Sequence, residues 1–141
     1  MNIGLCIRIV GLLLMLFSLG TLPSMVLGWV QEDGTAEVFG QAFAATAISG
    51  VVLSLLTQRV NTELQIRDGF LVTAAFWIVL SLYGSLPFLL SDAIEVSVFG
   101  AIFESVSGLT TTGATVLAGL DTLPESILFY RQLLQWLGGI G

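Results

Sequence analysis

This sequence has no histidine and no lysine, and its single cysteine is Cys6. A zinc site with histidine ligands, a catalytic pair that needs histidine, and a disulfide within the chain are therefore excluded. The basic residues are four arginines, and the formal net charge is −6. Nucleic-acid binding needs Lys and Arg to neutralise phosphates, so this charge balance argues against a nucleic-acid partner. A nucleophilic hydrolase is also disfavoured, since the chain offers no His or Lys as general base.

Charged residues of either sign are scarce. They make up 10% of the chain, whereas hydrophobic residues make up 55% and the mean hydropathy is +0.98. A soluble domain carries roughly 25% charged residues because its surface must be solvated. The composition therefore predicts a protein that lies in a lipid bilayer.

Uninterrupted apolar windows account for this composition. Residues 9–30, 38–58 and 69–91 contain no Asp, Glu, Lys or Arg. A bilayer core of about 30 Å needs roughly 20 helical residues, and a helix satisfies its own backbone groups where water is absent. We therefore predict an all-α membrane protein with three transmembrane helices, the first of them retained rather than removed as a signal peptide.

The arginines predict the orientation of these helices. Arg59 and Arg67 lie between the second and third windows, and Arg8 precedes the first, while residues 31–37 and 92–97 contain no basic residue. Short loops rich in arginine stay in the cytoplasm. A multi-pass protein with a cytoplasmic N-terminus is therefore expected. Acidic residues on the opposite side would either attract cations or be simply solvated; they are Glu32, Asp33, Glu37, Asp92, Glu95, Asp121 and Glu125.

A different pattern follows residue 91. Residues 98–109 are helical in character but span only about 18 Å. The threonine-rich run 110–115 around Gly113 favours extended backbone. Pro124 then opens another apolar helix. This order predicts a re-entrant pore helix and an extended filter loop whose carbonyl oxygens replace the hydration shell of a cation, with Gly113 permitting a positive φ. A polar loop on the outer surface is the alternative.

Glu104 and Arg131 are the ionisable residues in the apolar helical parts of this region. Such residues are costly in a membrane unless they are paired or wetted. We expect a structural Glu104–Arg131 ion pair that braces the pore loop. The alternative is that Glu104 helps to bind the cation.

Two stretches carry a family resemblance. Residues 103–115 read FESVSGLTTTGAT, and residues 123–139 read LPESILFYRQLLQWLGG. Both resemble Trk/Ktr-type bacterial potassium-uptake membrane subunits, most closely the TrkH branch. In that family four helix–pore loop–helix repeats surround one permeation path. The resemblance implies that Thr110, Thr111, Thr112, Gly113 and Ala114 form one quarter of a potassium filter through their backbone carbonyls.

The resemblance also implies the organisation and the function of the chain. Residues 1–68 would be an extra N-terminal pair of helices, and residues 69–141 the first repeat, truncated in its last helix, so the chain is expected to be an N-terminal fragment. The implied function is uptake of K⁺ across the bacterial inner membrane, with no enzymatic activity and no organic cofactor. The implied partners are the lipid bilayer, a second copy when the protein is full length, and a cytosolic nucleotide-binding regulatory subunit similar to TrkA. The alternative is a non-transporting helical membrane scaffold.

Overall fold

A computed structural model describes residues 2–59, 63 and 65–140, and these residues contain helices and no strand. Helices α1 to α7 run through them in the order Ile3–Ser18, Leu22–Gln31, Thr35–Leu56, Ile66–Gly84, Leu86–Leu90, Val98–Leu109 and Glu125–Ile140. Single turns of 3₁₀ helix occupy Leu19–Thr21 and Leu120–Thr122. The predicted all-α class is confirmed.

Three stretches are long and apolar enough to cross a membrane: Ile3–Gln31, Thr35–Leu56 and Ile66–Leu90. They confirm the three predicted spans. The first contains α1 and α2, which the 3₁₀ turn separates just before Pro23. Proline has no N–H to continue the helical ladder, which explains the interruption. The third contains α4 and α5, with Pro87 in the first turn of α5.

All three spans begin earlier than the charge-free windows predict, and two of them begin at polar caps. The side chain of Asn2 caps α1 by accepting a hydrogen bond from the Leu5 amide. Gln65 and Asp68 form a reciprocal capping box at the start of α4. Polar caps therefore set these helix starts, and Arg67 lies in the first turn of α4 instead of in the preceding loop.

Helices α1 and α3 pack together through small residues. A Cβ atom added to Gly50 would lie 2.7 Å from the Gly11 carbonyl oxygen, and one added to Gly11 would lie 2.9 Å from the Gly50 carbonyl oxygen. Both contacts are closer than real Cβ atoms allow. The two backbones therefore approach each other as small-residue interfaces permit in membrane proteins.

The buried core joins the N-terminal helices to the later ones. The Tyr130 ring on α7 lies 5.3 Å from the Phe39 ring on α3 and 5.4 Å from the Phe88 ring on α5, measured between centroids. The Tyr130 hydroxyl donates a hydrogen bond of 2.9 Å to the Gly84 carbonyl. Residues on both sides of the expected boundary at residue 68 thus share one core, and that boundary falls within α4.

Polar contacts tie the helices together at both ends of the bundle. At one end, the Asn2 amide donates to the Asp68 carboxylate over 3.1 Å, which joins the N-terminus to the start of α4. At the other end, the Ser126 hydroxyl donates to Asp33 over 2.8 Å, which joins the α2–α3 turn to the start of α7. The N-terminus and the α2–α3 turn therefore lie at opposite ends.

Candidate functional site

Helix α6 covers the residues for which the sequence predicts a short pore helix. Ser97 caps its first turn, since the Ser97 hydroxyl accepts a hydrogen bond of 3.1 Å from the Gly100 amide. The helix has 12 residues and ends at Leu109. Its length of about 18 Å is too short to cross a bilayer core. Beyond it, residues 112–117 have no regular secondary structure.

The chain folds back on α6 through four consecutive amides. The Thr110 amide donates to Val106 over 2.8 Å, and the Thr111 amide donates to Gly108 over 2.9 Å. The Thr112 and Gly113 amides both donate to the Ser107 carbonyl, over 2.9 Å and 3.3 Å. All four N–H groups therefore donate hydrogen bonds to α6.

The carbonyl oxygens of the same four residues, unlike their amides, have no hydrogen-bond partner among the described residues. Thr110, Thr111, Thr112 and Gly113 are all exposed, and within the described ranges no donor reaches their carbonyl oxygens. The C=O of one residue and the N–H of the next point in opposite directions across a trans peptide. Binding of the amides to α6 therefore turns several carbonyl oxygens away from the helix.

Two residues of this stretch have positive φ. Gly113 has φ +75°, in the region that its lack of a side chain makes accessible. Thr111 has φ +57°, which is uncommon for a β-branched residue and costs about 1–2 kcal/mol. The sequence pointed to Gly113 but not to Thr111, because threonine normally favours extended backbone.

Ala114, the last of the five predicted ligand residues, differs from the other four. Its carbonyl oxygen accepts a hydrogen bond of 2.6 Å from the Ser107 hydroxyl. Ser107 itself is buried. Sequence reasoning missed this serine, since nothing in the pattern marks a bond between residues seven positions apart across a helix end.

Glu104 and Arg131 lie side by side. Arg131 Nε donates to Glu104 Oε2 over 3.0 Å, and the Glu104 side chain is 1% exposed. Glu104 Oε1 accepts from the Val116 amide at 2.6 Å and from the Thr115 hydroxyl at 2.5 Å. One carboxylate thus holds α7 and the chain that returns from the threonine stretch. The sequence indicated the ion pair but not the two bonds to the returning chain.

Glycines allow α7 to lie directly against the end of α6. A Cβ atom on Gly138 would lie 2.6 Å from the Leu109 carbonyl carbon, and one on Gly108 would lie 2.9 Å from Leu134 Cβ. Neither space accepts a side chain without movement of the backbone or of Leu134. The last residues of α6 are therefore held by close packing as well as by hydrogen bonds.

A second carboxylate cluster lies at the α2–α3 turn. Asp33 accepts hydrogen bonds from the Thr35 amide at 2.9 Å, the Thr35 hydroxyl at 2.6 Å and the Ser126 hydroxyl at 2.8 Å. Nearby, the Gln31 side-chain amide donates to Glu125. Partial burial raises the pKa of Asp33, but the hydrogen bonds from Thr35 and Ser126 outweigh it and hold that pKa below its usual 3.8. Asp33 and Glu125 therefore connect helices instead of standing free in solvent.

Comparison with known proteins identifies the family. The sequence profile of TrkH, described as a cation transport protein, matches residues 35–141. The chain belongs to the TrkH family. It is 50% identical over 141 residues to the Trk system potassium uptake protein TrkH of Halomonas elongata, covering 100% of this chain and 29% of that protein. It is 48% identical over 136 residues to the protein of the same name from Escherichia coli, covering 95% of this chain and 28% of the relative.

A solved TrkH structure has the same fold. The crystal structure of the potassium transporter TrkH from Vibrio parahaemolyticus matches with a TM-score of 0.94 and 49% sequence identity, over 100% of this chain and 30% of that chain. The resemblance seen in the sequence is thus confirmed. TrkH proteins are cation transporters, not enzymes. The chain spans less than a third of the length of the relatives that it matches.

Proposed function

We propose that this chain is part of a protein that takes up K⁺ across the bacterial inner membrane. In this proposal α6 is the first pore helix, and the stretch from Thr110 to Ala114 is one quarter of the potassium filter. K⁺ is the transported ion. The carbonyl oxygens of Thr110, Thr111, Thr112 and Gly113 supply the ligands. Ala114 is the last residue of the segment, and its carbonyl accepts the Ser107 hydroxyl.

The main support for this proposal is that, in the four residues after Leu109, the backbone amides form hydrogen bonds whereas the backbone carbonyl oxygens form none with the described residues. Four amides donate to α6, and the same four residues are exposed and have carbonyl oxygens that accept no hydrogen bond in the described part of the chain. Such oxygens replace the water around an alkali cation in a filter. The C-terminal end of α6 adds about half a negative charge at the same place. Names given to the relatives, potassium uptake protein and potassium transporter, support K⁺ as the ion.

Glu104 serves in this proposal as a brace and not as an ion ligand. Both of its carboxylate oxygens already accept hydrogen bonds, from Val116 and Thr115 on one oxygen and from Arg131 on the other. A cation would have to compete with these bonds. The ion pair with Arg131 therefore fixes α7 and the returning chain around the pore helix.

Orientation and partners complete the proposal. Arg8, Arg59 and Arg67 all belong to the end of the bundle where Asn2 contacts Asp68, and the positive-inside rule places that end in the cytoplasm. Residues 1–68 then form an additional helix pair, and residues 69–141 belong to the first of four repeats. The full-length protein forms a homodimer and binds a cytosolic nucleotide-binding subunit similar to TrkA.

Substitution of two matched glycines tests the filter. Gly113 (φ +75°) and Gly34 (φ +78°) both have a left-handed backbone, and an added Cβ would meet no atom within 3.8 Å at the first and none within 4 Å at the second. The change to Ala therefore strains both backbones by a similar amount, about 1 kcal/mol. We expect Gly113→Ala to reduce rubidium uptake at least tenfold and Gly34→Ala to leave it nearly unchanged.

The assay uses a bacterium without its own potassium uptake, which expresses the complete natural reading frame of this protein. The amount of protein in the membrane is measured for each variant. Equal uptake by the two variants at equal membrane levels would contradict the filter assignment and favour a non-transporting scaffold. Absence of uptake by the unsubstituted protein would contradict the proposed function itself.

A further inference from the structure

Ser107 contacts the threonine stretch through its backbone and through its side chain. Its carbonyl oxygen accepts the Thr112 and Gly113 amides, and its hydroxyl donates to the Ala114 carbonyl over 2.6 Å. It is 5% exposed. In the described part of the chain, no other side chain donates to a carbonyl of residues 110–114.

These bonds give the carbonyls on the two sides of Gly113 different directions. The Thr112 and Gly113 amides face Ser107, so the Thr111 and Thr112 carbonyls of the same trans peptides face away from it. The Ala114 carbonyl instead faces Ser107, because it accepts the hydroxyl proton. The backbone thus reverses its exposed face between Thr112 and Ala114, at the positive φ of Gly113.

Any residue at position 107 could accept the hydrogen bonds from the Thr112 and Gly113 amides through its carbonyl. The hydrogen bond to the Ala114 carbonyl requires the serine hydroxyl. Without it, the Ala114 carbonyl loses its donor and is no longer held against α6. A released carbonyl adds one more movable oxygen beside the Gly113 carbonyl. A movable oxygen can approach a smaller ion such as Na⁺, so the filter loses part of the size match that favours K⁺.

We infer that the Ser107 hydroxyl is a positioning group that ends this segment of the filter at Gly113 and thereby sets its preference for K⁺ over Na⁺. This inference rests on the proposed function. Ser107 touches no ion in this account. It acts by holding the Ala114 carbonyl against the pore helix.

Ser105 provides a matched control on the same helix. It is fully buried, and its hydroxyl has no hydrogen-bond partner among the residues that the structure describes. Ser105→Ala and Ser107→Ala therefore delete the same atom from neighbouring buried sites, and only the second deletion breaks a bond to the threonine stretch. Ser107→Cys keeps a weak donor in nearly the same volume and gives an intermediate case.

The experiment measures rubidium uptake and its inhibition by Na⁺ in the same bacterial assay, with the variants compared at equal membrane levels. We expect Ser107→Ala to lower the preference for Rb⁺ over Na⁺ by roughly fivefold, which corresponds to the loss of about 1 kcal/mol, typical of one net hydrogen bond. Ser107→Cys should lower it less, and Ser105→Ala should leave it unchanged. If Ser107→Ala does not reach the membrane, Ser107→Cys is compared with Ser105→Ala instead.

Two results would overturn the inference while the proposed function stands. One is an unchanged preference in the Ser107 variants that reach the membrane, and the other is an equal loss in Ser105→Ala. A merely structural role of Ser107 would lower the amount of protein or the rate of uptake without altering the ratio between the two ions. If the unsubstituted protein takes up neither ion, the proposed function fails, and the inference fails with it.

Discussion

Glu104 and Asp33 hold distant parts of the chain together with the same number of hydrogen bonds but in different surroundings. Each carboxylate accepts from one backbone amide and from two side chains. Glu104 is 3% exposed and has an arginine among its donors, whereas Asp33 is only partly buried and has hydroxyl donors instead. Of these two carboxylates, the more deeply buried one is the one with a cationic partner.

The physical reason is the cost of removing a charge from water. A buried carboxylate is tolerated only when a counter-charge and hydrogen bonds replace its hydration, whereas one at a turn keeps part of its water. The Glu104 cluster lies beside the proposed filter, where rigidity is required. The Asp33 cluster lies at the bundle end, where it joins the α2–α3 turn to α7. Substitutions at the two clusters should therefore differ in size and in pH dependence.

The largest effect is expected from Arg131→Met. The substitution keeps an unbranched side chain but leaves the Glu104 charge buried without a counter-charge, which costs about 3–5 kcal/mol of folding stability. Thermal unfolding of the purified protein in detergent measures the loss. Arg59→Met is the control, since Arg59 is exposed and a surface change of this kind stays within about 0.5 kcal/mol. Equal stability of the two variants would contradict the view that Arg131 compensates Glu104.

A double substitution sharpens that result. In Glu104→Gln with Arg131→Met, the uncompensated charge is gone, so most of the loss caused by Arg131→Met alone should be recovered. A double variant no more stable than Arg131→Met would show that the loss comes from altered packing of α7 and not from the unpaired charge.

A smaller effect, with a distinct pH dependence, is expected from Asp33→Asn. Its hydrogen bonds keep the pKa of Asp33 below 3.8, so the ionised form stabilises the fold. That stabilisation is fully present above the ordinary pKa of Asp and is lost as the pH falls through the lowered pKa of the folded state. Asp33→Asn should cost about 1.5 kcal/mol near neutral pH and remove this part of the acid dependence.

The neighbouring acid is the control for Asp33. Glu32 is exposed and accepts no hydrogen bond in the described part of the chain, so Glu32→Gln removes the same charge without breaking a bond. Unfolding temperatures of the two variants and the parent, measured from neutral pH to pH 3, give the comparison. If Glu32→Gln alters the acid dependence as much as Asp33→Asn does, general charge repulsion and not the Asp33 cluster is responsible.

Several features of this region follow directly from the sequence. The bounds of α6 could be predicted because residues 98–109 are helical in character and the threonine run that follows them favours extended backbone. A lone glycine among threonines indicated the positive φ of Gly113, and two charges in apolar helices indicated that Glu104 lies near Arg131. In the structure, Gly113 has a positive φ, and Arg131 forms an ion pair with Glu104.

Other features depend on tertiary contacts that no local pattern records. Thr111 has a left-handed backbone, which a β-branched residue does not favour. The four hydrogen bonds from backbone amides to α6 hold the backbone in this conformation. The hydroxyl of Ser107 is chemically like that of Ser105, and only the fold decides which of them meets a carbonyl. The charge-free window predicts too late a start for α4, because Asp68 has the charge expected at the edge of a span, whereas it belongs to the capping box of the helix.

The smallest effect concerns one hydroxyl donor at each cluster. Ser126→Ala deletes a buried hydroxyl that contacts both Asp33 and Thr35. Asp33 is partly exposed and keeps its two hydrogen bonds from Thr35 and part of its water, so we expect a loss of about 0.5 kcal/mol. Thr115→Val deletes a donor to Glu104. Thr115 itself is exposed, but the Glu104 side chain is only 1% exposed and gains little water in return, so we expect about 1.5 kcal/mol. The two unfolding temperatures, measured under the same conditions, give the difference. Equal losses would mean that the two carboxylates are equally hydrated, and the contrast drawn from their burial would then be wrong.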